Sequence, residues 1–432
     1  MGALKRQRIL VLVQGELAQS ARMLNHAREL AAAGAEVHLV GFAAIALPLE
    51  FAQSRSFSVH AISRVGAARW PRLPRPLFIS AATLRSLWLT LRIGWILLWS
   101  VPRPHSILVQ NPPALPAALL AVVAARVRRA RLIVDWHNLT ASMLALRIGP
   151  DHLLVRVLER FEHWLARQAE ASFCVSEALR ERVQPSAGNR ACLVLHDRPR
   201  RRPTPVSDAE RANILRRVSE ALGVDLGLDD NPAPVVLVSS TSWSQDEDMT
   251  MLLDALAALV DPKSERPSMV PPLALIVTGL GPGRAEFEAR AHRLDGPGLR
   301  IATGWLPDDL YRDLLRAAHL GLSMHRSASG LDLPMKIVDM IEASLPVMAY
   351  DYAPCLGELL SRERAAGFFT TPTELAGRLG ALLQDYPALT HLAGIRAAMP
   401  DLASPGWAEQ WRRVAQPIFA DRERHSADPQ SP

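Results

Sequence analysis

The chain has 432 residues, of which 49% are hydrophobic and 21% are charged. This balance excludes a disordered protein, and the length predicts two domains of about 200 residues each. The formal net charge is +6, and arginine supplies far more of the positive charge than lysine. Such a surplus reflects either arginine-rich codon usage or attraction to an anionic partner, which would be a membrane surface or a pyrophosphate substrate. The sequence has no recognised nucleic-acid-binding motif, so a nucleic-acid partner is not expected.

The three cysteines are widely spaced and odd in number. Neither a zinc site nor a disulfide framework is therefore predicted, and a reducing compartment fits. Near the start, the apolar run Ile9–Val13 has only five residues, which is too short for the core of a signal peptide. This run instead predicts the first strand of a sheet.

Strand-like and helix-like segments alternate through the first half of the chain, which predicts an α/β domain with a parallel sheet. A polar loop over 15–20 follows the first strand, and a helix is predicted over 21–33, ending at Gly34. No G-x-G-x-x-G motif follows this strand, so a nicotinamide site is not supported. Further strands are predicted over 37–42, 106–109, 132–134, 171–175 and 192–195, with a helix over 153–169.

The most apolar window of the sequence runs from Leu77 to Val101. A membrane-spanning helix needs about 20 apolar residues with few charges, and Arg92 near the middle makes spanning unfavourable. Tryptophan and arginine beside leucine favour a helix that lies in a membrane interface. The alternative is a core helix whose arginines extend to solvent. The expected membrane contacts are Arg85, Trp88, Arg92, Trp95 and Trp99.

The second half of the chain begins after an Arg- and Pro-rich segment over 198–205, which is the predicted linker. A late helix over 407–416 is expected to end at Pro417, because proline disrupts a helix interior. The polar segment 421–432 is expected to be disordered. Strands are predicted over 235–238, 273–277, 300–303, 320–324 and 346–350.

Two polar loops in the second half each lead into a helix. The loop over 239–248 joins the strand 235–238 to a helix over 249–260, and the loop over 329–336 precedes a helix over 337–343. Open α/β sheets place phosphate and sugar sites in such loops, at the carboxyl ends of their strands. The sequence therefore predicts an enzyme that works in a cleft between two domains.

Seven segments carry a resemblance to one family, and they occur in family order over residues 8 to 360. They are Gln110–Pro113, Asp135–Asn138, His196–Pro199, Ser239–Asp248, Thr278–Pro282, Gly304–Leu306 and Ser329–Asp339. These segments resemble the β-1,4-mannosyltransferases that add the first mannose in dolichol-linked oligosaccharide synthesis, which are glycosyltransferases of GT-B architecture. The serine-rich loop and Ser-Gly-Leu-Asp-Leu-Pro-Met-Lys are the most specific of the seven. The Ala-, Arg- and Pro-rich composition is typical of a bacterial chain, and the membrane anchor of eukaryotic members is not expected.

The resemblance implies two Rossmann-like domains that face a cleft. Residues 1–200, with a C-terminal helix over 404–420, would bind the acceptor and the membrane, and residues 206–403 would bind the nucleotide-sugar. It further implies GDP-mannose as donor, a lipid-pyrophosphate-linked glycan as acceptor and a β-mannosidic product formed with inversion. Neither a metal nor another cofactor is expected to be essential. The implied location is the cytoplasmic face of a membrane, with peripheral or monotopic attachment.

An inverting transfer needs a general base for the acceptor hydroxyl. His137 is the first candidate, because a histidine titrates near working pH. Asp135 lies two residues earlier on the same strand face, as the orienting partner or the alternative base. Glu16, in the first loop, is a third candidate. Each of these side chains could instead only tie down a loop.

Ser240, Thr241 and Ser242 offer hydroxyls and backbone N–H groups as a phosphate cradle ahead of a helix. Gly279 and Gly281 would let the backbone approach the nucleotide closely, although a plain turn explains them nearly as well. Ser244 and Glu247 have the spacing of a capping box. The acidic run 246–248 is therefore expected in a first helical turn, with no metal bound.

Lys336, after Ser329 and Gly330, could meet the donor diphosphate as a point charge. Asp339 occupies the place where many retaining GT-B enzymes carry the second glutamate of a pair, and it would bind ribose hydroxyls. Leu331 stands eight positions earlier, so the pair is broken and inversion is favoured. The remaining donor-site candidates are Trp305, beside the base, and His325, as a sugar or phosphate contact or a core histidine.

Two other functions compete with mannosyl transfer. One is a GT-B hexosyltransferase that uses a UDP- or ADP-sugar in exopolysaccharide or lipopolysaccharide assembly. The other is a catalytically silent GT-B subunit that binds a partner enzyme. Asp135, His137, Lys336 and Asp339 argue against the silent subunit, because it would not need them.

Overall fold

The computed structural model describes residues 4–5, 7–62, 75–201, 204–244, 247–261, 270–296, 298–327 and 329–420, excluding the side chains of 75–82. The chain divides into two compact units. Unit 1 comprises residues 1–196 and 407–432, and unit 2 comprises residues 197–406. The division falls just before the predicted linker. Arg198 is not free in solvent, because its guanidinium donates to the carbonyls of Leu402 and Glu358.

Unit 1 is built on a seven-stranded sheet in the order β3-β2-β1-β4-β5-β6-β7, and every pairing is parallel. Its strands are β1 Arg8–Glu16, β2 Glu36–Phe42, β3 Phe57–Ala61, β4 Ser106–Asn111, β5 Arg131–Trp136, β6 Ala171–Cys174 and β7 Ala191–Val194. Its helices are α1 Ala21–Ala32, α2 Leu49–Gln53, α3 Arg75–Trp95, α4 Ala117–Val127, α5 Thr140–Ile148, α6 Leu153–Gln168, α7 Glu177–Ala187, α15 Trp407–Val414 and α16 Gln416–Ala420.

Unit 2 is built on a six-stranded parallel sheet in the order β10-β9-β8-β11-β12-β13. Its strands are β8 Val235–Ser240, β9 Leu273–Thr278, β10 Leu299–Gly304, β11 Leu320–Ser323, β12 Val347–Tyr350 and β13 Gly367–Phe369. Its helices are α8 Asp208–Leu222, α9 Met249–Val260, α10 Arg284–Ala291, α11 Asp308–Ala317, α12 Met335–Glu342, α13 Pro372–Leu383 and α14 Thr390–Leu402.

The parallel sheets confirm the α/β prediction, and every predicted strand is present within two or three residues at either end. The central strands are apolar runs buried on both faces, as helices covering both sides of a sheet require. The edge strands β3 and β13 are absent from the prediction. β3 is half exposed, and β13 has only three residues, so neither carries a strong apolar pattern.

The C-terminal helices complete the core of unit 1. Trp407, Trp411 and Phe419 are buried among residues of the first sheet and α1. The prediction of a single helix ending at Pro417 is wrong, because α15 ends at Val414 and Pro417 lies in the first turn of α16. A first-turn N–H has no partner within its helix, so proline is tolerated there.

Strand order fixes where polar side chains gather. In each sheet the order reverses between two central strands, β1 and β4 in unit 1 and β8 and β11 in unit 2. Ligands of open α/β sheets bind outside the carboxyl ends of strands at such points. Glu16, Asn111 and His137 lie at this edge of unit 1, and Ser240 and His325 lie at this edge of unit 2.

Candidate functional site

Asp135, near the end of β5, is the centre of a buried polar cluster in unit 1. The guanidinium of Arg22, on α1, donates to its two carboxylate oxygens over 2.9 and 2.8 Å. The Nε2 atom of His137 lies 2.8 Å from Oδ2 of the same carboxylate. Asp135 is fully buried and Arg22 is 3% exposed. The predicted pairing of Asp135 with His137 is therefore present, and Arg22 is a third member absent from the sequence prediction.

The cluster fixes the charge of Asp135. Burial by itself would raise the pKa of this carboxyl, but the Arg22 charge, followed by the contact with His137, holds the pKa well below its usual value. A carboxylate that resists protonation in this way is a poor base, and both of its oxygens already accept hydrogen bonds. The geometry thus disfavours Asp135 as the alternative base and makes it the partner of His137.

His137 follows β5 directly, and hydrogen bonds hold both its backbone N–H and its ring. Its backbone N–H donates to the carbonyl of Asn111 over 2.8 Å, and its side chain keeps 22% of its surface exposed. Because a carboxylate only accepts hydrogen bonds, Nε2 carries the proton that faces Asp135. In the neutral ring Nδ1 is then the basic nitrogen.

A second histidine supports the cluster from the other side. The indole of Trp411, on α15, donates to Nδ1 of His26 over 3.0 Å. An indole N–H only donates, so the proton of neutral His26 lies on Nε2, which is 3.4 Å from Asp135 Oδ2. Burial lowers the pKa of His26 despite the opposing charge of Asp135. His26 is therefore a neutral neighbour of the carboxylate.

Glu16 is not a loop residue, since it occupies the last position of β1. Its side chain is 5% exposed, and Oε1 accepts the backbone N–H of Ile45 over 3.0 Å. This contact ties down the chain that follows β2. The observed role is structural, and a catalytic role for Glu16 stays a prediction.

Glu247 is the centre of the corresponding cluster in unit 2. Its Oε2 accepts the Thr241 hydroxyl over 2.7 Å, the Ser242 N–H over 2.7 Å and the Ser242 hydroxyl over 3.1 Å. Its Oε1 accepts the Lys336 ammonium. Burial opposes ionisation, but Lys336 and these donors lower the pKa of Glu247. Two of the three residues predicted to cradle phosphate, Thr241 and Ser242, therefore converge on one carboxylate.

The capping-box prediction is wrong. Helix α9 begins at Met249, and its N-cap is Asp248, whose side chain accepts the N–H of Met251 over 3.1 Å. Glu247 precedes the helix and pairs with His325 in an isolated antiparallel bridge. Asp246 lies outside the described residues. Among the residues described, no three His, Cys, Asp or Glu side chains are grouped to hold a metal ion.

Gly279 and Gly281 pack against the serine-rich loop. A Cβ on Gly279 would lie 1.7 Å from the carbonyl oxygen of Thr241, and one on Gly281 would lie 2.0 Å from that of Ser242. Gly279 also has a φ of +145°. The space left by both glycines is thus filled by protein, so the plain packing alternative fits better than close approach of the nucleotide.

Ser240 and Asp339 both meet Tyr311, which the sequence prediction missed. The Ser240 hydroxyl lies 2.9 Å from the Tyr311 hydroxyl, which also bonds to Asp339. The protein atoms around the carboxyl of Asp339, followed by the charge of Glu342, raise the pKa of this group to about 7. Another part of the same residue is exposed to solvent. Trp305, between β10 and α11, is 58% exposed and remains available for stacking.

The remaining predicted donor contacts belong to a turn between β11 and α12. His325 Nε2 lies 3.5 Å from Asp332 Oδ2, and its ring packs edge-on against Tyr352. Gly330 has a φ of +71°, and its N–H donates to the hydroxyl of Ser327. The hydroxyl of Ser329 accepts the N–H of Leu331 over 3.2 Å. These contacts order the turn, and substrate binding by its members stays a prediction.

The long apolar window forms α3, which continues into a π-helical turn over Ile96–Ser100. In the described part of the chain, no helix combines the length and apolarity needed to cross a bilayer. Arg85 is exposed, while Trp88 and Arg92 are partly buried. One stripe of large apolar side chains faces solvent, and it consists of Leu84, Leu87, Leu91, Trp95 and Trp99, with exposed fractions between 54% and 66%.

Solved structures match this architecture over nearly the whole chain. HepE of Anabaena, solved in complex with UDP and glucose, gives a TM-score of 0.59 at 17% identity, covering 98% of this chain and 99% of that one. An α,α-trehalose-6-phosphate synthase of Burkholderia multivorans gives 0.63 at 12% identity, covering 98% and 100%. Both show that the two Rossmann-like units form a GT-B fold.

Sequence comparisons identify the family as well as the fold. A glycosyl transferase 4-like domain matches residues 18–197. The UDP-glycosyltransferase TURAN of Arabidopsis thaliana is 31% identical, covering 98% of this chain and 99% of that protein. The chitobiosyldiphosphodolichol beta-mannosyltransferase of Yarrowia lipolytica is 34% identical over 96% of this chain and 87% of its own length. The human enzyme of that name is 30% identical over 96% and 92%. The chain is thus a glycosyltransferase that belongs to the chitobiosyldiphosphodolichol β-mannosyltransferase family.

Proposed function

We propose that the protein transfers mannose from GDP-mannose to a lipid-pyrophosphate-linked glycan, with inversion at the anomeric carbon. Family membership supports the reaction, and one observation carries the mechanism: the 2.8 Å contact between Asp135 and His137 under the bidentate Arg22 pair. A histidine oriented by a buried carboxylate is a general base whose tautomer is set before substrate arrives.

In the proposed step, Nδ1 of His137 takes the proton of the acceptor hydroxyl. The hydroxyl oxygen attacks the anomeric carbon, the bond from that carbon to the phosphate oxygen breaks, and the nucleoside diphosphate leaves with the electron pair. Asp135 stabilises the imidazolium that forms, because its carboxylate stays ionised beside Arg22. A base of this kind contributes about 10²- to 10⁴-fold to the rate.

The leaving diphosphate would be stabilised from unit 2. Lys336 and the N–H of Ser242 already surround one anion, the carboxylate of Glu247. Because Glu247 already accepts the Ser242 N–H, the remaining N–H groups of the Lys336 ammonium, which Glu247 holds in place, would meet the diphosphate. We assign this task to protein groups rather than to a metal ion, and activity retained in excess EDTA is the expected result. Trp305, exposed after β10, is the proposed platform for the base.

Peripheral attachment to an anionic membrane is part of the same proposal. Between Glu50 and Asp135 the sequence contains twelve arginines and neither aspartate nor glutamate. The exposed stripe of α3 and the π-helical turn lies within this segment, and an interfacial helix presents such apolar side chains, beside cations, to anionic lipid. The proposed location is the cytoplasmic face, where the lipid-linked acceptor would be reached.

The first test is the thermal stability of the detergent-purified protein with GDP, UDP and ADP and their mannose or glucose conjugates. Stabilisation by GDP and GDP-mannose alone is expected. The second is transfer of radiolabelled mannose to a synthetic polyprenyl-pyrophosphate chitobiose, with the anomeric configuration read by NMR. An α-linked product would overturn inversion, and no nucleotide response would favour the silent subunit.

One observation favours a second candidate, which is transfer from a UDP-sugar. The relative named UDP-glycosyltransferase TURAN matches this chain from end to end at 31% identity. Only a few contacts to the base separate the two donors, so the mechanism would be unchanged. A thermal response to UDP and not to GDP would select this candidate.

A further inference from the structure

Glu162, on α6, is a carboxylate buried close to the His137 loop. It is 4% exposed. Its Oε1 accepts the side-chain amide of Asn111 over 3.0 Å and the backbone N–H of Thr140 over 2.6 Å. Its Oε2 lies 3.4 Å from the N–H of Ala141. The donors are neutral amides and the Thr140 hydroxyl, so hydrogen bonding rather than ion pairing holds this side chain.

The groups that meet Glu162 flank His137 on both sides. Asn111 ends β4, and its carbonyl accepts the N–H of His137 over 2.8 Å. The amide of Asn111 also reaches the carbonyl of Asn138 over 3.3 Å. Thr140 is the first residue of α5. One carboxylate oxygen therefore joins the strand beside His137 to the helix that begins three residues after it.

Burying a carboxyl group costs free energy that its hydrogen bonds must offset. Burial raises the pKa of Glu162, and the surrounding donors only partly oppose that shift. A well-packed apolar side chain is often no less stable than a buried charge. The hydrogen bonds from Asn111 and Thr140 are the contacts that offset this burial.

We propose that Glu162 is a positioning residue that holds the His137 loop in the geometry needed for proton abstraction. This inference rests on the proposed role of His137 as general base. Misplacement of a reacting group by about 1 Å can cost about 100-fold in rate. Loss of Glu162 should therefore lower kcat while leaving the KM for nucleotide-sugar nearly unchanged, because donor contacts are assigned to unit 2.

The experiment compares Glu162→Ala, Glu162→Gln and Glu162→Asp in the full-length protein. In the amide variant, Oε1 can still accept from Asn111 and Thr140, and only the long contact to Ala141 is lost. We expect kcat close to wild type for Glu162→Gln and about 100-fold lower for Glu162→Ala. Glu162→Asp, which withdraws the acceptor by one methylene, should fall between them, and it serves if Glu162→Ala does not fold. The exposed Glu159→Ala on the same helix is the matched control.

A double variant separates positioning from a general structural role. If Glu162 acts through His137, then Glu162→Ala added to His137→Ala lowers the rate no further. Additive losses, or wild-type kcat in both Glu162→Ala and Glu162→Asp, would overturn the inference. If the wild-type chain transfers no sugar from any nucleotide donor, the proposed function itself fails, and the two failures are distinguished.

Discussion

The α-carbon of Gly279 lies so close to the carbonyl of Thr241 that a Cβ would stand 1.7 Å from that oxygen. This contact seats the serine-rich loop against the turn after β9, and the indole of Trp243 adds to it by donating to the Gly279 carbonyl over 3.1 Å. The position of the proposed phosphate donors thus depends on residue 279 being a glycine, which has no Cβ.

We therefore expect Gly279→Ala to lower the free energy of unfolding by about 3 kcal/mol, through a backbone clash and a strained positive φ. Urea denaturation measures this, and the thermal response to nucleotide should weaken as well. Gly394→Ala, on helix α14, is the control, because no neighbouring atom lies within 4 Å of the position that a Cβ on Gly394 would take. It should be neutral or stabilising by up to about 1 kcal/mol. Equal stabilities for the two variants would contradict the role of Gly279.

His137→Ala should lower kcat by about 10²- to 10⁴-fold and leave the urea midpoint close to wild type, because the ring is partly exposed. Single-turnover transfer measures the loss. Added imidazole should restore part of the rate, and His292→Ala, an exposed surface change, should leave the rate unaltered. Unchanged kcat in His137→Ala would remove this residue from the mechanism.

The buried His26 predicts a pH dependence of stability. Because burial lowers its pKa, the folded chain keeps the ring neutral, whereas the unfolded chain binds a proton below about pH 6.5. The unfolded state then binds more protons, so the free energy of unfolding falls as pH drops, by at most about 1.4 kcal/mol per pH unit for this group. His26→Asn can still accept from Trp411 and should show a shallower slope between pH 6.5 and 5. Parallel slopes would contradict this account.

Removing the exposed rings of Trp95 at the end of α3 and Trp99 in the π-helical turn after it should weaken membrane binding without unfolding the chain. Trp95 and Trp99 stack on each other with their centroids 5.2 Å apart, and they are 54% and 65% exposed. We expect Trp95→Ala with Trp99→Ala to reduce co-sedimentation with phosphatidylglycerol vesicles several-fold. Leu49→Ala, which alters a 72% exposed side chain of the same unit, is the control. Equal binding by both variants would place the membrane contact elsewhere.

The sequence is sufficient for the central strands of both sheets, but not for the two edge strands β3 and β13 or for the side-chain clusters between elements. Central strands such as β8 are continuous apolar runs, so their positions can be read directly. The pairing of Asp135 with His137 follows from a spacing of two along a strand. Arg22 lies 113 residues from Asp135, and no local pattern predicts that contact.

The serine-rich loop shows why local patterns mislead. The spacing of Ser244 and Glu247 satisfies a capping box, but Asp248 is also a good N-cap and begins the helix later. Glu247 is then free to turn back to Thr241 and to pair with Lys336, which is 89 residues away. Competing local solutions of similar energy are decided by such tertiary contacts.

The bond from Trp411 to His26 joins residues 385 positions apart, and it belongs to the cluster around Asp135. During translation, all of unit 2 is synthesised after His26 and before Trp411. The first 196 residues can therefore form their sheet during synthesis while the buried cluster around Asp135 still lacks the helix that carries Trp411. On the proposed mechanism, the support of His137 is complete only after this late helix docks, so turnover would wait until unit 2 has been translated.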